Sequence, residues 1–386
     1  MIGVTLLLIA AIGFLARCVH TPAAPADPRG EAFASGSSCI SCHKDIANSY
    51  FHTAHALTSR AADSSSIRGS FEAPGNLFSY GAHGMVRLEK RDSGFYQLAF
   101  RGDRTEAHRF DIVIGSGRKA QTYLYWEKDR IYQLPVSYFV TAKTWANSPD
   151  FPTDSIWFGR SIATECFECH SSFVQHKQPG NNNAFHPVEF FGRSSLIYGI
   201  DCQRCHGPAA QHVDWHTRHP EEKQPRFMVR FDTLKRQQRL DACAVCHSGI
   251  HPEQLSLFRF RPGHRLANYY FAEPTRYYDT STMDVHGNQY QLLLTSKCFQ
   301  NSTLDCITCH NPHRTERDSL TVFTQRCQSC HNPLPPHPGM DPALLLAKCI
   351  DCHMPARPSK VITLQTAAGQ KPIADLIRTH RIAIYR

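Results

Sequence analysis

Hydrophobic residues are patterned differently along successive stretches of this 386-residue chain. Near the N-terminus, Val4 to Leu15 (VTLLLIAAIGFL) is a continuous apolar run. It has the length of a secretory h-region and is too short to cross a bilayer comfortably as a helix. From His20 to Ser38 the pattern dissolves into Pro, Ala, Gly and Ser, with Pro22, Pro25 and Pro28 closely spaced, as in an exposed tether. Lys44 to Arg60 has helix-forming composition. Beyond it the period becomes two: Val86/Leu88, Tyr96/Leu98/Phe100, Phe110/Ile112/Ile114, Tyr123/Tyr125, and Ile131 to Leu134. Turn signals at Asp92-Ser93-Gly94, Gly115-Ser116-Gly117 and Lys128-Asp129 separate these runs, so the alternation predicts an antiparallel meander whose aromatic residues form a sheet core. After residue 160 sustained periodicity fades, apart from a helix predicted over Phe231 to Ala242. A segment with so little periodic apolar surface needs another source of it.

The cysteines identify that source. Fourteen of the sixteen fall into seven Cys-x-x-Cys pairs, and His follows every pair. The motifs are Cys39/Cys42/His43, Cys166/Cys169/His170, Cys202/Cys205/His206, Cys243/Cys246/His247, Cys306/Cys309/His310, Cys327/Cys330/His331 and Cys349/Cys352/His353. CxxCH is the attachment signature of c-type haem: two thiols add to the porphyrin vinyl groups, and the adjacent His is the proximal iron ligand. Zinc sites and redox dithiols also use CxxC, but neither chemistry requires His after all seven pairs. Seven covalently bound c-type haems are therefore expected. Six motifs lie within the 188 residues from Cys166 to His353, so porphyrin faces would supply much of the apolar surface there.

The organisation this predicts is a signal or lipoprotein signal over 1–18, a linker over 19–38 and a first haem segment over 39–62. A β-rich module without a haem motif follows over 63–160, and a hexahaem domain over 161–386. The fold class expected is a multihaem cytochrome c. Short α-helices and irregular loops would wrap stacked haems, with the antiparallel β-rich module inserted. The formal charge of +9 suits a chain whose Arg and Lys meet haem propionates, or a solvated basic surface. Nucleic acid is not an expected partner of an exported protein. Export is expected because covalent haem attachment occurs outside the bacterial cytoplasm. Two processing outcomes stay open: lipid attachment at Cys18, although Arg17 stands where a small residue belongs, and cleavage after Ala24-Pro25-Ala26.

Sixteen His lie outside the motifs, enough to give every iron a second imidazole. By position the candidate distal ligands are His52 or His55 after the first motif, His212, His286, His313, His337 and His380. His251 and His264 are weaker candidates. Two imidazoles make a low-spin iron suited to electron transfer, whereas an open position suits catalysis. Met354 cannot reach the face opposite His353, being its neighbour, and Cys298 reads as a plain buried thiol.

These motifs carry a resemblance. Ser41-Cys42-His43 with His52 and His55, Gly115-Ser116-Gly117, Gln133 to Tyr138 (QLPVSY), Cys205-His206-Gly207-Pro208 with His212, Ser296-Lys297-Cys298, Cys309-His310-Asn311-Pro312-His313 and Cys352-His353-Met354-Pro355 resemble a bacterial superfamily of multihaem c-type cytochromes. That superfamily holds the tetrahaem electron carrier of hydroxylamine oxidation, hydroxylamine oxidoreductase, and octahaem and pentahaem nitrogen- or sulfur-oxyanion reductases. The resemblance implies haems stacked in parallel or meeting at an angle in a continuous series. Its reductases characteristically carry Lys in place of one proximal His, and all seven motifs here keep His. The crosslinking Tyr of hydroxylamine oxidoreductase has no assignable counterpart among the 14 Tyr. The function expected is an exported heptahaem carrier relaying single electrons between a redox donor and acceptor, in the periplasm or at the cell surface. The alternative is a multihaem oxidoreductase with one five-coordinate haem acting on a small nitrogen or sulfur compound.

Overall fold

The computed structural model describes residues 26–178, 189–249, 251–271, 283–317, 319–334 and 338–385. The apolar run, Cys18 and His337 lie outside them. The first elements are two short helices, α1 (Gly36–Cys42) and α2 (Lys44–Tyr50). The helical composition of Lys44 to Arg60 is used only in part: turns follow Tyr50, and Ser59–Ala61 is already strand β1. The stretch expected to be an exposed tether is packed from Asp27 onward. Arg29 bridges Asp27 at 2.8 Å and Asp201 at 2.6 Å, and Phe33 and Ala34 are buried. Its Pro- and Gly-rich composition hid these two anchors.

The alternating segment folds into two antiparallel sheets. Strands β2 (Leu77–Ser79), β3 (Met85–Arg91), β4 (Gly94–Arg101) and β5 (Arg104–Arg109) form one meander, with Val86 opposite Ala99 and Leu88 opposite Gln97. Gly84, at φ +114°, makes the entry to β3, where a Cβ would lie 2.1 Å from the Phe100 carbonyl oxygen. The second sheet takes in β1 with β6 (Ile112–Ile114), β7 (Ala120–Glu127), β8 (Arg130–Gln133), β9 (Val136–Phe139), β10 (Thr144–Asn147) and β11 (Arg160–Ser161). The period of two sorts its residues. Val113, Tyr123, Leu134 and Trp145 meet Val86, Leu88 and Phe95 of the meander in one core, while Ile112, Leu124 and Ile131 face Phe167, Val174, Phe191 and Phe258 in another. The second core is the seam between the β module and the region carrying six motifs.

That region is built of short helices: α3 (Thr164–His170), α4 (Cys202–His206), α5 (Ala210–Arg218), α6 (Arg236–His247), α7 (Gln289–Leu294), α8 (Lys297–Gln300), α9 (Cys306–Cys309), α10 (Leu320–Gln328), α11 (Pro342–Ala347) and α12 (Cys349–His353). The helix predicted over Phe231 to Ala242 is instead α6, preceded by a 3₁₀ turn at Phe231–Thr233. Leu240, Ala244 and Val245 of α6 pack on Leu257, Phe260, Tyr269 and Tyr290. A C-terminal hairpin pairs Ala356–Leu364 with Ile373–Arg378 and reaches back to the β module, where Lys119 meets Asp375 at 3.2 Å. Nothing in the hydrophobic pattern announced it. Among the described residues no helix is long and apolar enough to cross a membrane.

Candidate haem attachment sites and ligands

Each CxxCH begins inside a helix: α1, α3, α4, α6, α9, α10 and α12 carry the seven first cysteines. Helical spacing explains why. Residues three and four apart share one face, so the two thiols and the following His project together. Two of these helices are started by an Asp placed directly before the motif. Asp201 accepts from the Arg204 amide at 2.8 Å, and Asp305 from the Thr308 amide at 3.1 Å. Both carboxylates also hold an arginine: Asp201 holds Arg29, and Asp305 holds Arg239 at 2.6 Å. Some of the positive charge expected on propionates is thus engaged by the protein's own carboxylates.

Four imidazole pairs join a motif His to a His outside the motifs. His43 and His212 have ring centroids 6.5 Å apart, His206 and His313 5.9 Å, His310 and His380 6.1 Å, and His247 and His55 6.1 Å. Two imidazoles facing one metal from opposite sides, each nitrogen about 2 Å away, place their centroids about 6 Å apart. These residues therefore fit the axial positions of a haem iron. His286 is an electrostatic neighbour of His170, the second-motif His. Among the described residues no group of three or more His, Cys, Asp or Glu could hold a metal ion, as a tetrahedral zinc site would require.

The protonation states suit ligation. Burial, reinforced by neighbouring imidazoles and cations, pushes His55, His170, His206 and His380 down to about 4, which leaves them neutral with a lone pair to donate at neutral pH. Hydrogen bonds select the donating nitrogen. His212 Nδ1–H donates to the Arg226 carbonyl at 2.8 Å, and His353 Nδ1–H to the Ala383 carbonyl at 3.0 Å. His247 Nδ1 meets Gln289 Oε1 at 3.3 Å, and His170 Nδ1 meets Thr58 Oγ1 at 2.9 Å. A partner on Nδ1 leaves Nε2 for the metal.

The sequence candidates divide on this geometry. His55, His212, His313 and His380 pair with motif imidazoles, and His286 lies near both His170 and His247. His52 is exposed and pairs with no motif ring. Of the weaker candidates, His251 Nε2–H donates to the Ser248 carbonyl at 2.6 Å, and the His264 ring stands against Phe260 and Tyr269 instead of a motif imidazole. The pairing ignores proximity in sequence. His212 follows the third motif but faces the first, His313 follows the fifth but faces the third, and His55 follows the first but faces the fourth. Gly199 makes the last crossing fit. At φ +64° its missing side chain would lie 2.2 Å from the Ala56 carbonyl oxygen, and the Ile200 amide donates to the His55 carbonyl at 3.0 Å. Neither Gly199 nor Thr58 and Gln289 carried any sequence signal of these roles.

Thiols of different motifs also meet. Cys39 contacts Cys202, Cys169 contacts Cys246, and Cys243 contacts Cys306; Cys246 lies close to Cys205, and Cys327 close to Cys349 and Cys309. Cys298 is half-buried, its thiol pushed up by burial, and lies near Cys309 and Cys327.

No family model matches the chain, and no curated protein matches it. Among solved structures, the one titled "Crystal Structure of Outer Cell Wall Cytochrome OcwA" is similar, with a TM-score of 0.55 and 16% identity over 91% of this chain and 79% of that chain. The fold is similar to that of this cytochrome. At this identity the likeness lies in the path of the chain, so the attachment residues and imidazole pairs above stand on this chain's own geometry.

Proposed function

We propose that this chain is an exported heptahaem c-type cytochrome that relays single electrons between a redox donor and acceptor, mostly through bis-His iron sites. The observation that carries it is the set of four imidazole pairs, each joining a motif His to a distant His at the spacing of two axial ligands. Bound haem iron would supply the one-electron chemistry; the chain supplies attachment, ligation and spacing. His43, His170, His206, His247, His310, His331 and His353 would be proximal ligands. His212, His286, His313, His55 and His380 would face the first five of them in the order 43, 170, 206, 247, 310. The thiol contacts support an order of attachment sites of first, third, fourth, fifth, sixth and seventh, with the second beside the fourth. Kinship with the hydroxylamine-oxidation superfamily belongs to this reading and rests on the quoted motifs. A similar fold in a protein described as an outer cell wall cytochrome supports a place outside the cytoplasm, as does the apolar run before Cys18. The test is a pyridine haemochrome count with a resting-state spectrum. A count near seven with low-spin iron is expected, and a count of two or three would refute the assignment of every motif. Carbon monoxide binding to one haem per chain in the reduced, unmodified protein would favour the oxidoreductase alternative.

A further inference from the structure

Three of the imidazole pairs have nearly parallel planes, with interplanar angles of 15° for His43 and His212, 6° for His206 and His313, and 27° for His310 and His380. The pair formed by His247 and His55 is crossed at 79°. We propose that the fourth-motif site is electronically distinct from these three, and that Gln289 and the Gly199 contact are the positioning features that make it so. This rests on the reading that the motifs hold haem.

An axial imidazole donates π-electron density into the iron d orbital perpendicular to its ring plane. Two rings with parallel planes act on the same orbital and split the dπ pair. Crossed rings act on different members and leave the pair nearly degenerate. In low-spin ferric iron the unpaired electron occupies this pair, so the ring angle sets the magnetic anisotropy. Parallel rings give an ordinary rhombic signal, whereas crossed rings give a single low-field feature with a large g value. Parallel rings also stabilise the ferric state by raising the half-filled orbital, so a crossed site in equal surroundings is easier to reduce.

Both rings are held from outside the haem face. His247 ends α6 and its Nδ1 meets Gln289 Oε1 at 3.3 Å, a side-chain acceptor at the start of α7. His55 is fixed by its backbone. Its carbonyl accepts from Ile200, and the Ala56 carbonyl oxygen lies 2.2 Å from where a Cβ on Gly199 would sit, so the segment is pressed against that glycine. The site's place gives the difference a use. Cys243 and Cys246 touch Cys306 and Cys169, and Cys205 lies near Cys246, so the fourth motif adjoins the fifth, second and third. A more easily reduced site at this junction is where an electron entering from any neighbour would rest.

The experiment is electron paramagnetic resonance of the oxidised, haem-loaded full chain, alone and with substitutions. A large-g feature beside rhombic signals is expected. His55→Met should remove that feature and leave the rhombic signals, while Gln289→Leu should shift it as the His247 ring turns. A His251→Ala chain should retain it, and Gln289→Leu keeps the assignment testable if His55→Met does not fold. A fully haem-loaded protein showing only rhombic signals would overturn the proposal, as would a large-g feature unchanged in both His55→Met and Gln289→Leu. A protein lacking haem absorbance would instead overturn the proposed function.

Discussion

At the scale of a single residue, what separates a candidate ligand from an ordinary histidine is whether its ring faces a motif imidazole at the spacing of two axial ligands. His380 is buried against His310, with its pKa pushed down to about 4 by burial first and by His310 and His247 next. His251 has its Nε2–H on the Ser248 carbonyl. His380→Ala should therefore open one iron, giving a reduced protein that binds about one carbon monoxide per chain with the haemochrome count unchanged. His251→Ala should do neither, and carbon monoxide binding by that variant would contradict the assignment. A second residue-scale effect involves Glu253. Burial, then the adjacent Glu168 carboxylate, raises its pKa to about 9. Folded, it keeps its proton up to that pH; unfolded, it loses it in the ordinary glutamate range. Between the two the unfolded chain binds fewer protons, so this group makes stability fall as pH rises from about 4.5 to about 9. Glu253→Gln should flatten that fall, measured as the difference in melting temperature between about pH 5 and pH 8.5; an undiminished fall would show that other groups produce it.

At the scale of elements, the segment before the first motif acts as a strap. Arg29, its side chain 6% exposed, bridges Asp27 and Asp201. Gln203 exchanges hydrogen bonds of 2.9 and 2.8 Å with the Ala34 backbone, and the Ala210 amide donates to the Ala32 carbonyl. Arg29→Ala would leave two carboxylates unpaired and should cost about 2 kcal/mol, read in denaturant unfolding together with faster proteolysis ahead of Cys39; unchanged cleavage there would mean the strap is held by other contacts. Trp145 offers the complementary case. It is 3% exposed among Phe71, Phe110, Tyr123 and Tyr138, and its indole donates to the Ser70 carbonyl at 2.7 Å. Trp145→Ala should destabilise the β module by about 4 kcal/mol without altering the haem count, whereas loss of haem would tie the module to cofactor retention. What could be read in advance follows the same division. The strands were legible because half-buried sheets force a period of two, and the motifs because the same CxxCH spacing recurs seven times. The distal partners were legible only as a set of candidates. A ligand needs to arrive in space, not at a fixed distance along the chain, so His55 and His212 gave no hint of crossing to the fourth and first motifs. The strap was missed because two anchors, Arg29 and Phe33, decide the fate of a segment whose composition is otherwise that of a tether.

At the scale of the whole molecule, the source of cohesion changes along the chain. The β module and the segment around α6 have cores of side chains. After Phe299, Ile350 is the one buried hydrophobic residue among the described residues, while Ile307, Leu320, Leu344 and Leu346 are exposed. Under the proposed function, apolar macrocycles attached at its three motifs would supply the burial that the side chains here lack. Replacing Cys306, Cys309, Cys327, Cys330, Cys349 and Cys352 by Ser should therefore leave a chain with about four haems. Limited proteolysis should cut it within the segment from Cys306 to His353, while the β module and the first four motifs survive as one coloured fragment. The intact protein under the same conditions should resist cleavage there. Equal resistance in the substituted chain would mean that this region is ordered by polypeptide contacts alone, and that its motifs decorate the fold instead of building it.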